Sequence, residues 1–263
     1  MTRTPIVAGN WKMNLLRADV AAYGEALAAA GLPGAQVPND KVDVVLFPTS
    51  VYLGLAVTAM PDWVAVGAQD VHAEEGGAYT GDVAAAQIVD AGASWALAGH
   101  SERREYHGES DDDVERKARR ALGAGLVPVV CVGETLEQRQ RDETEEVLDV
   151  QLGAVLEVLA AAAGAGVGAV VAYEPVWAIG TGLSASPEIA ASVHGHLRAR
   201  LNGHQTGLGD STRILYGGSV NADNCRDLIG RSDIDGFLIG GASLDPASFL
   251  RIIRLSTGSA GGF

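Results

Sequence analysis

Eight short runs of mostly β-branched residues, each followed by a turn and then by a longer Ala- and Leu-rich segment, constrain the fold of this chain more than any other feature. Strand-like runs that alternate with helical segments are typical of α/β proteins with a parallel sheet. The predicted strands occupy residues 6–8, 42–47, 64–68, 95–98, 127–132, 169–173, 213–216 and 237–239. The predicted helices occupy residues 18–30, 51–60, 84–91, 112–124, 137–163, 187–201, 221–229 and 246–255.

The length of the chain favours a closed barrel. Its 263 residues give about 33 for each strand–helix unit, and a (β/α)8 barrel typically has about 250. The competing architecture, an open doubly wound sheet, normally carries a Gly-rich dinucleotide-binding turn after its first strand, whereas the turn here reads Gly9-Asn-Trp-Lys-Met-Asn14. The Ala/Gly tract at residues 160–168 is typical of a helix end and not of a linker. We therefore predict a single (β/α)8 barrel domain over residues 1–263.

Composition narrows the partners and the location. The chain has 19 Lys and Arg against 33 Asp and Glu, a formal net charge of −14, which makes nucleic acid and anionic membranes poor candidate partners. Only four or five apolar residues precede Asn10, too few for a signal peptide or a membrane span, so we expect a cytoplasmic protein. Two cysteines cannot form a disulfide framework or a cysteine zinc site, and we expect Cys131, inside an apolar run, to be a packed core thiol.

Reactive side chains follow several of the predicted strands. Asn10 and Lys12 follow the first strand, His100 and Glu102 follow the fourth, and Glu174 follows the sixth. In a (β/α)8 barrel these positions converge on one mouth. Glu174 precedes a proline that keeps its backbone extended, and a carboxylate shielded from water gains basicity; the alternative is a solvated strand-end Glu. His100 can donate a hydrogen bond to a substrate carbonyl while neutral; the alternative is a structural histidine.

Three further features point to an anionic substrate. Lys12 is a cation at the mouth, with Glu102 as a candidate ion-pair partner, although a plain surface lysine is the alternative. Gly-rich turns at residues 217–219 and 240–241 follow the last two strands, where barrels frequently bind phosphate through backbone N–H groups; they could equally be ordinary turns. The apolar loop at residues 175–182 predicts a lid, unless it packs statically on its neighbour.

The remaining histidines predict no metal site. They are His72, His107, His194, His196 and His204. His194 and His196 are two residues apart on a predicted helix, so their side chains point away from each other.

Five segments, in order and spacing, resemble the signature segments of the triosephosphate isomerase family, and the resemblance spans essentially the whole chain. They are residues 9–14 (quoted above), 99–104 (Gly-His-Ser-Glu-Arg-Arg), 172–182 (Ala-Tyr-Glu-Pro-Val-Trp-Ala-Ile-Gly-Thr-Gly), 216–220 (Tyr-Gly-Gly-Ser-Val) and 236–243 (Gly-Phe-Leu-Ile-Gly-Gly-Ala-Ser). The resemblance implies a TIM barrel that interconverts dihydroxyacetone phosphate and D-glyceraldehyde 3-phosphate through an enediolate. It implies a small phosphorylated sugar substrate and neither a metal nor an organic cofactor.

The residue roles that follow are those of the family, a standard example of pKa tuning, carried over to this sequence. Glu174 would be the base that moves a proton between C1 and C2, and neutral His100 would polarise the carbonyl oxygens and shuttle the hydroxyl proton. Lys12 and Asn10 would stabilise the oxyanion. Glu102 would pair with Lys12, and Ser101 would hold the base while the lid is open. The phosphate would bind to Gly180, Ser219, Gly240 and Gly241.

Two loops acquire a function from the same resemblance. The lid at residues 175–182, with Trp177 as an apolar lever, would exclude water from the enediolate. Members of the family are homodimers or tetramers in which a loop after the third strand enters the neighbouring site. Here that loop runs from Gly76 to Gly81, with Thr80 near the partner's residues 10–12.

Two departures from the family pattern leave alternatives open. Leu183 stands where the lid usually ends in Lys, and Asp70 stands where Asn is usual, which adds a negative charge near the mouth. That charge would lower affinity for an anion unless Lys12 or an arginine neutralises it. A four-carbon ketose phosphate is therefore an alternative substrate. A binding or scaffolding barrel without catalysis would lack the base, the electrophile or the lysine, and here all three are present.

Overall fold

Eight parallel strands close into a barrel in chain order. The computed structural model describes residues 3–30, 42–179 and 185–257. Strand β1 pairs with both β2 and β8, which closes the sheet and confirms the predicted (β/α)8 barrel. The strands are β1 (Ile6–Asn10), β2 (Asp43–Phe47), β3 (Val64–Ala68), β4 (Trp95–Ala98), β5 (Val127–Val132), β6 (Val170–Tyr173), β7 (Arg213–Tyr216) and β8 (Gly236–Ile239).

Helices surround the barrel, and the main differences from the prediction are one divided helix, two helices that were not predicted and one shortened helix. In the described part of the chain they are α1 (Arg17–Ala29), α2 (Leu53–Ala59), α3 (Ala85–Asp90), α4 (Ser101–His107), α5 (Asp111–Gly123), α6 (Leu136–Gln140), α7 (Thr144–Ala165), α8 (Pro187–His204), α9 (Leu208–Ser211), α10 (Cys225–Ile229) and α11 (Pro246–Ser256). The helix predicted over residues 137–163 is divided into α6 and α7, because Asp142 has a left-handed φ of 58° that a helix cannot continue. Helices α4 and α9 were not predicted, and α10 is shorter than the predicted 221–229 segment.

Alternation along the strands builds two packed layers. Ile6 and Ala8 point into the barrel interior, whereas Val7 points outward to the layer between strands and helices. Cys131 is fully buried in the interior cluster, which confirms its prediction as a core thiol, and burial raises its pKa well above the ordinary value. Both cysteines are free and buried.

Helix α7 is, in the described part of the chain, the one helix long and apolar enough to cross a membrane by length and composition. Its buried residues, among them Leu148, Leu152 and Leu159, belong to the layer between strands and helices, and the helix packs on α5 and β5. We interpret α7 as a core helix of the barrel, because a helix that is packed between neighbouring elements can be apolar around most of its surface.

Candidate active site

The carboxyl ends of the strands bring most of the predicted site residues around one cavity of about 430 Å³. The predicted residues that line it are Asn10, Lys12, His100, Glu174, Ser219, Gly240 and Gly241. They end or follow five different strands, β1, β4, β6, β7 and β8, so the closed sheet gathers residues that are far apart in sequence. Ser101 and Glu102 contact two of these residues: the Ser101 N–H donates to Glu174, and Glu102 pairs with Lys12. Gly180 lies outside the described residues.

Glu174 is held by two donors. Nε2 of His100 lies 3.0 Å from one carboxylate oxygen, and the backbone N–H of Ser101 donates to the other at 2.8 Å. The Glu174 side chain is only 3% exposed, and burial raises its pKa. The hydrogen bonds from His100 and Ser101 and the nearby charge of Lys12 lower the pKa by more, so the net shift is downward. The gain in basicity expected from shielding alone is therefore wrong for this arrangement, because the neighbouring donors outweigh burial.

His100 caps the N-terminus of α4, and this fixes its tautomer. Nδ1 accepts a hydrogen bond from the backbone N–H of Glu102 at 3.2 Å, so the ring proton sits on Nε2 and points at Glu174. Burial lowers the pKa of His100, and the Glu174 carboxylate raises it more, so the net pKa is raised. The geometry holds a neutral imidazole that donates from Nε2. Because the pKa is raised chiefly by Glu174, the ring is less basic whenever that carboxylate moves away.

Lys12 is positioned by its own strained backbone. Its φ of 51° is left-handed, which costs of the order of 1–3 kcal/mol for a residue with a side chain. Asn10 Oδ1 accepts from the Lys12 N–H at 3.0 Å, and Gln69 Nε2 donates to the Lys12 carbonyl at 2.8 Å. Nζ of Lys12 lies 2.6 Å from Glu102, which is the ion pair expected from the sequence. Gln69 was not a predicted site residue, because the sequence does not show which backbone group a glutamine side chain will bond.

The extra charge of Asp70 is neutralised, although not by Lys12. Nζ of Lys117 lies 2.8 Å from Asp70, and a guanidinium nitrogen of Arg103 lies 3.0 Å from it. The expected arginine is therefore present, whereas Lys12 is engaged by Glu102 instead. Lys117 and Arg103 also both bond Glu109, so two carboxylates share two cations. Burial raises the pKa of Asp70 more than its cations lower it.

The loop after β6 is tethered near both ends by buried polar contacts. Oε1 of Glu134, a fully buried residue, accepts from Trp177 Nε1 at 2.8 Å and from the Tyr173 hydroxyl at 3.1 Å. At the far end, the Ala185 N–H donates to the Tyr216 hydroxyl at 3.2 Å. The predicted hinge residue Leu183 lies outside the described residues, and the lid remains a prediction. Glu134 was missed because a lone carboxylate after a strand resembles any other.

The two Gly-rich turns bring backbone close to the cavity. A Cβ on Gly218 would lie 2.3 Å from the Tyr216 hydroxyl, so only glycine fits this turn. A Cβ on Gly240 would lie 3.5 Å from Cε of Lys12, which places the lysine stem beside the second turn. A short 3₁₀ turn begins at Gly241 (Gly241–Ser243). Backbone N–H groups and an ammonium next to each other favour an anion.

The other histidines do not converge. His194 is buried and its Nδ1 lies 3.1 Å from the Asp233 carbonyl, whereas His196 lies 3.0 Å from Asp149 on a different side of α8. Within residues 3–30, 42–179 and 185–257, no group of three or more His, Cys, Asp or Glu is arranged to hold a metal ion.

Comparison with known proteins agrees with the resemblance. A family model described as triosephosphate isomerase matches residues 5–256. The triosephosphate isomerase of Stenotrophomonas maltophilia is 50% identical over 253 residues, which is 96% of this chain and 98% of that relative. Those of Xanthomonas oryzae pv. oryzae and Alcanivorax borkumensis are each 48% identical, over 253 and 254 residues, and cover 96% and 97% of this chain and 98% and 99% of the relatives.

Proposed function

Because this chain belongs to the triosephosphate isomerase family, we propose that Glu174, His100, Lys12 and Asn10 carry its reaction, the interconversion of dihydroxyacetone phosphate and D-glyceraldehyde 3-phosphate. The chain is thus an isomerase with a phosphorylated triose substrate. One observation carries the assignment of residues: a carboxylate and an imidazole 3.0 Å apart line the same cavity as an ammonium group and two Gly-rich turns.

The reaction needs a base that reaches two adjoining carbons. Glu174 removes a proton from one carbon, the C–H electron pair forms the carbon–carbon double bond of an enediolate, and the carbonyl oxygen becomes negative. The same carboxyl group then returns the proton to the neighbouring carbon, while His100 passes the proton of the remaining hydroxyl to the oxyanion, so that the hydroxyl oxygen becomes the new carbonyl. Nε2–H of His100 donates to the developing oxyanion, and the Lys12 ammonium and Asn10 amide stabilise its charge.

The contacts of the base account for how its strength changes during turnover. To reach a carbon-bound proton, the Glu174 carboxylate has to leave His100 and the Ser101 N–H, the groups that lower its pKa. Burial then dominates, and the base becomes stronger at the moment it acts. The departure also removes the main contact that raises the pKa of His100, which keeps the imidazole neutral. Glu102 and Ser101 act as supporting residues, the first by holding Lys12 and the second by holding the base.

We assign the phosphate group to the backbone N–H groups of Gly180, Gly240 and Gly241 and to Ser219. Three of these four residues line the cavity beside Lys12, which supports the assignment, and Gly180 rests on the family pattern alone. The lid at residues 175–182 would close over the phosphate and exclude water, because an exposed enediolate can expel an adjacent phosphate.

A homodimer, or a tetramer built from it, is the assembly we propose. Residues 74–82 are exposed throughout, and they include the loop from Gly76 to Gly81. Met13 is 92% exposed and Val51 is 77% exposed, so large apolar side chains stand in solvent near the mouth loops. Thr80 of one subunit would then approach residues 10–12 of the other. A single domain over residues 1–263 and a cytoplasmic location complete the proposal.

The assay that tests this function measures kcat/KM on a three-carbon and a four-carbon ketose phosphate side by side. The named relatives do not support the four-carbon alternative. We expect a preference for the triose phosphate of at least about tenfold, since one extra carbon in a closed pocket is worth about 1–3 kcal/mol. Equal or greater turnover of the four-carbon sugar would contradict the assignment.

A further inference from the structure

One side chain on α7 satisfies both backbone groups of the residue that follows β5. The Gly133 N–H donates to Oε1 of Gln151 at 2.7 Å, and Nε2 of Gln151 donates to the Gly133 carbonyl at 3.2 Å. The paired register of β5 and β6 ends at Val132 and Tyr173, so Gly133 lies beyond the ladder. Gln151 thus supplies, from a helix, the two hydrogen bonds that the sheet no longer offers at this position.

Gly133 lies directly against the proposed base. A Cβ on Gly133 would lie 1.7 Å from the Glu174 carbonyl oxygen, so the two backbones are in close contact. The Glu174 N–H donates to the Val132 carbonyl at 2.8 Å, and the Val176 N–H donates to the Glu134 carbonyl at 3.1 Å. Residues 132–134 therefore hold the backbone on both sides of Glu174, and Gln151 bonds the middle residue of this segment, Gly133.

One side of this segment faces open space. A second cavity of about 560 Å³ is lined by Gly133, Gln151, Cys131, Ser101 and Glu174. Few atoms on the cavity side would resist a shift of Gly133 once its hydrogen bonds are lost. The two bonds from Gln151 therefore restrain Gly133 on this side of the base.

We propose that Gln151 is a positioning residue for Glu174: its amide, through Gly133, sets the place of the catalytic carboxylate without touching the substrate. This inference rests on the proposed role of Glu174. A displacement of the base of about 1 Å can cost of the order of 100-fold in rate, whereas the phosphate turns after β7 and β8 make no contact with Gln151.

The first test is Gln151→Met, which keeps the length of the side chain and removes both hydrogen bonds. We expect kcat to fall about tenfold or more, with KM and the inhibition constant of inorganic phosphate changed by less than about twofold. The matched control is Gln138→Met. Gln138 lines the same cavity and also accepts from a loop N–H, that of Thr135 at 2.9 Å, but its bond is to the start of α6 and not to Gly133. Its kcat should stay within about twofold of wild type.

The second test is the pH dependence of Gln151→Glu. An ionised carboxylate still accepts from the Gly133 N–H but sets an oxygen against the Gly133 carbonyl, whereas a protonated carboxyl donates to it. The ratio of kcat for this variant to that of wild type should therefore rise as the pH falls. A merely structural role for residue 151 gives no such recovery, so a ratio that stays flat with pH overturns the proposal.

Glu174→Gln, assayed in parallel, separates the proposed role of Glu174 as the base from the proposed positioning role of Gln151. If this variant is inactive while Gln151→Met and Gln138→Met have equal kcat, the positioning role of Gln151 is overturned and the role of Glu174 stands. If Glu174→Gln retains wild-type turnover, both are overturned. A loss of phosphate affinity in Gln151→Met equal to its loss in kcat would likewise contradict a role confined to the base.

Discussion

Oε1 of Glu174 lies 3.0 Å from Nε2 of His100, so the proposed base and the proposed electrophile are hydrogen-bonded to each other. Each shifts the pKa of the other: the imidazole is the main cause that lowers the pKa of Glu174, and the carboxylate is the main cause that raises that of His100, in both cases against burial. The pair is therefore coupled, and a change in one residue is expected to move the titration of the other.

Replacing His100 with Asn should move the acid limb of the pH profile. In the proposed mechanism catalysis needs an ionised Glu174 and a neutral His100, and kcat/KM reports the protonation of the free enzyme. In wild type the pKa of His100 is raised and that of Glu174 is lowered, so the imidazole takes up a proton first as the pH falls and sets the acid limb. His100→Asn removes this titration, and its acid limb, set by Glu174 alone, should lie at lower pH.

The control for this shift is His196→Asn, because His196 contacts Asp149 on α7 and does not line the cavity. Its acid limb should coincide with that of wild type. An acid limb in His100→Asn at or above the wild-type position would contradict the coupling.

His194 makes the fold sensitive to acid. Burial lowers its pKa from the ordinary 6.5 to about 4, against the opposing effect of its bond to Asp233. Between these pH values the unfolded chain binds a proton and the native protein does not, so the free energy of unfolding should fall by about 3 kcal/mol as the pH drops from 6.5 to 4. Denaturant titrations of wild type and His194→Gln across this range measure the difference. Equal pH slopes in the two proteins would show that His194 does not contribute.

Asp70→Asn should gain stability relative to wild type as the pH rises. Burial raises the pKa of Asp70 in the native state, so the unfolded chain loses this proton first, and native stability falls as the pH rises through the interval. The Tm difference between variant and wild type should therefore be larger near neutral pH than in acid. Asp112→Asn, at a carboxylate 83% exposed, is the control and should show no such trend. A Tm difference between Asp70→Asn and wild type that does not change with pH would contradict a raised pKa of Asp70 in the native state.

The exposed loop from Gly76 to Gly81 should govern assembly. If it enters a second subunit, replacing it with a short turn removes contacts and leaves Met13 and Val51 exposed, so the variant should sediment as a monomer. Sedimentation velocity of wild type and variant at several concentrations makes the measurement. A loop variant that keeps the wild-type sedimentation coefficient would exclude this loop as the interface.

The strands could be predicted because a strand of a parallel sheet is buried on both faces and is therefore a short, nearly continuous run of apolar, mostly β-branched residues. Strands β3, β4, β5 and β7 begin and end at the predicted residues. The break between α6 and α7 was not predictable, since nothing in the composition around Asp142 marks its left-handed backbone. Helix α4 was missed for a related reason: Ser101–His107 is short and polar and has no apolar periodicity.

Site residues at strand ends could be predicted, because topology alone brings them together. Glu174, His100 and Lys12 are of this kind. Gln151, Gln69 and Glu134 could not, because each acts through hydrogen bonds to a backbone or side chain that is distant in sequence or looks ordinary in it. Amides and lone carboxylates reveal their partners only in three dimensions.

The most direct test of the central claim is kcat/KM of Glu174→Gln on glyceraldehyde 3-phosphate, with the inhibition constant of inorganic phosphate measured on the same protein. A general base contributes about 10²- to 10⁴-fold, so we predict that kcat/KM falls by about 10³-fold while the phosphate constant changes by less than about twofold. Turnover within about tenfold of wild type would contradict the assignment of Glu174 as the base.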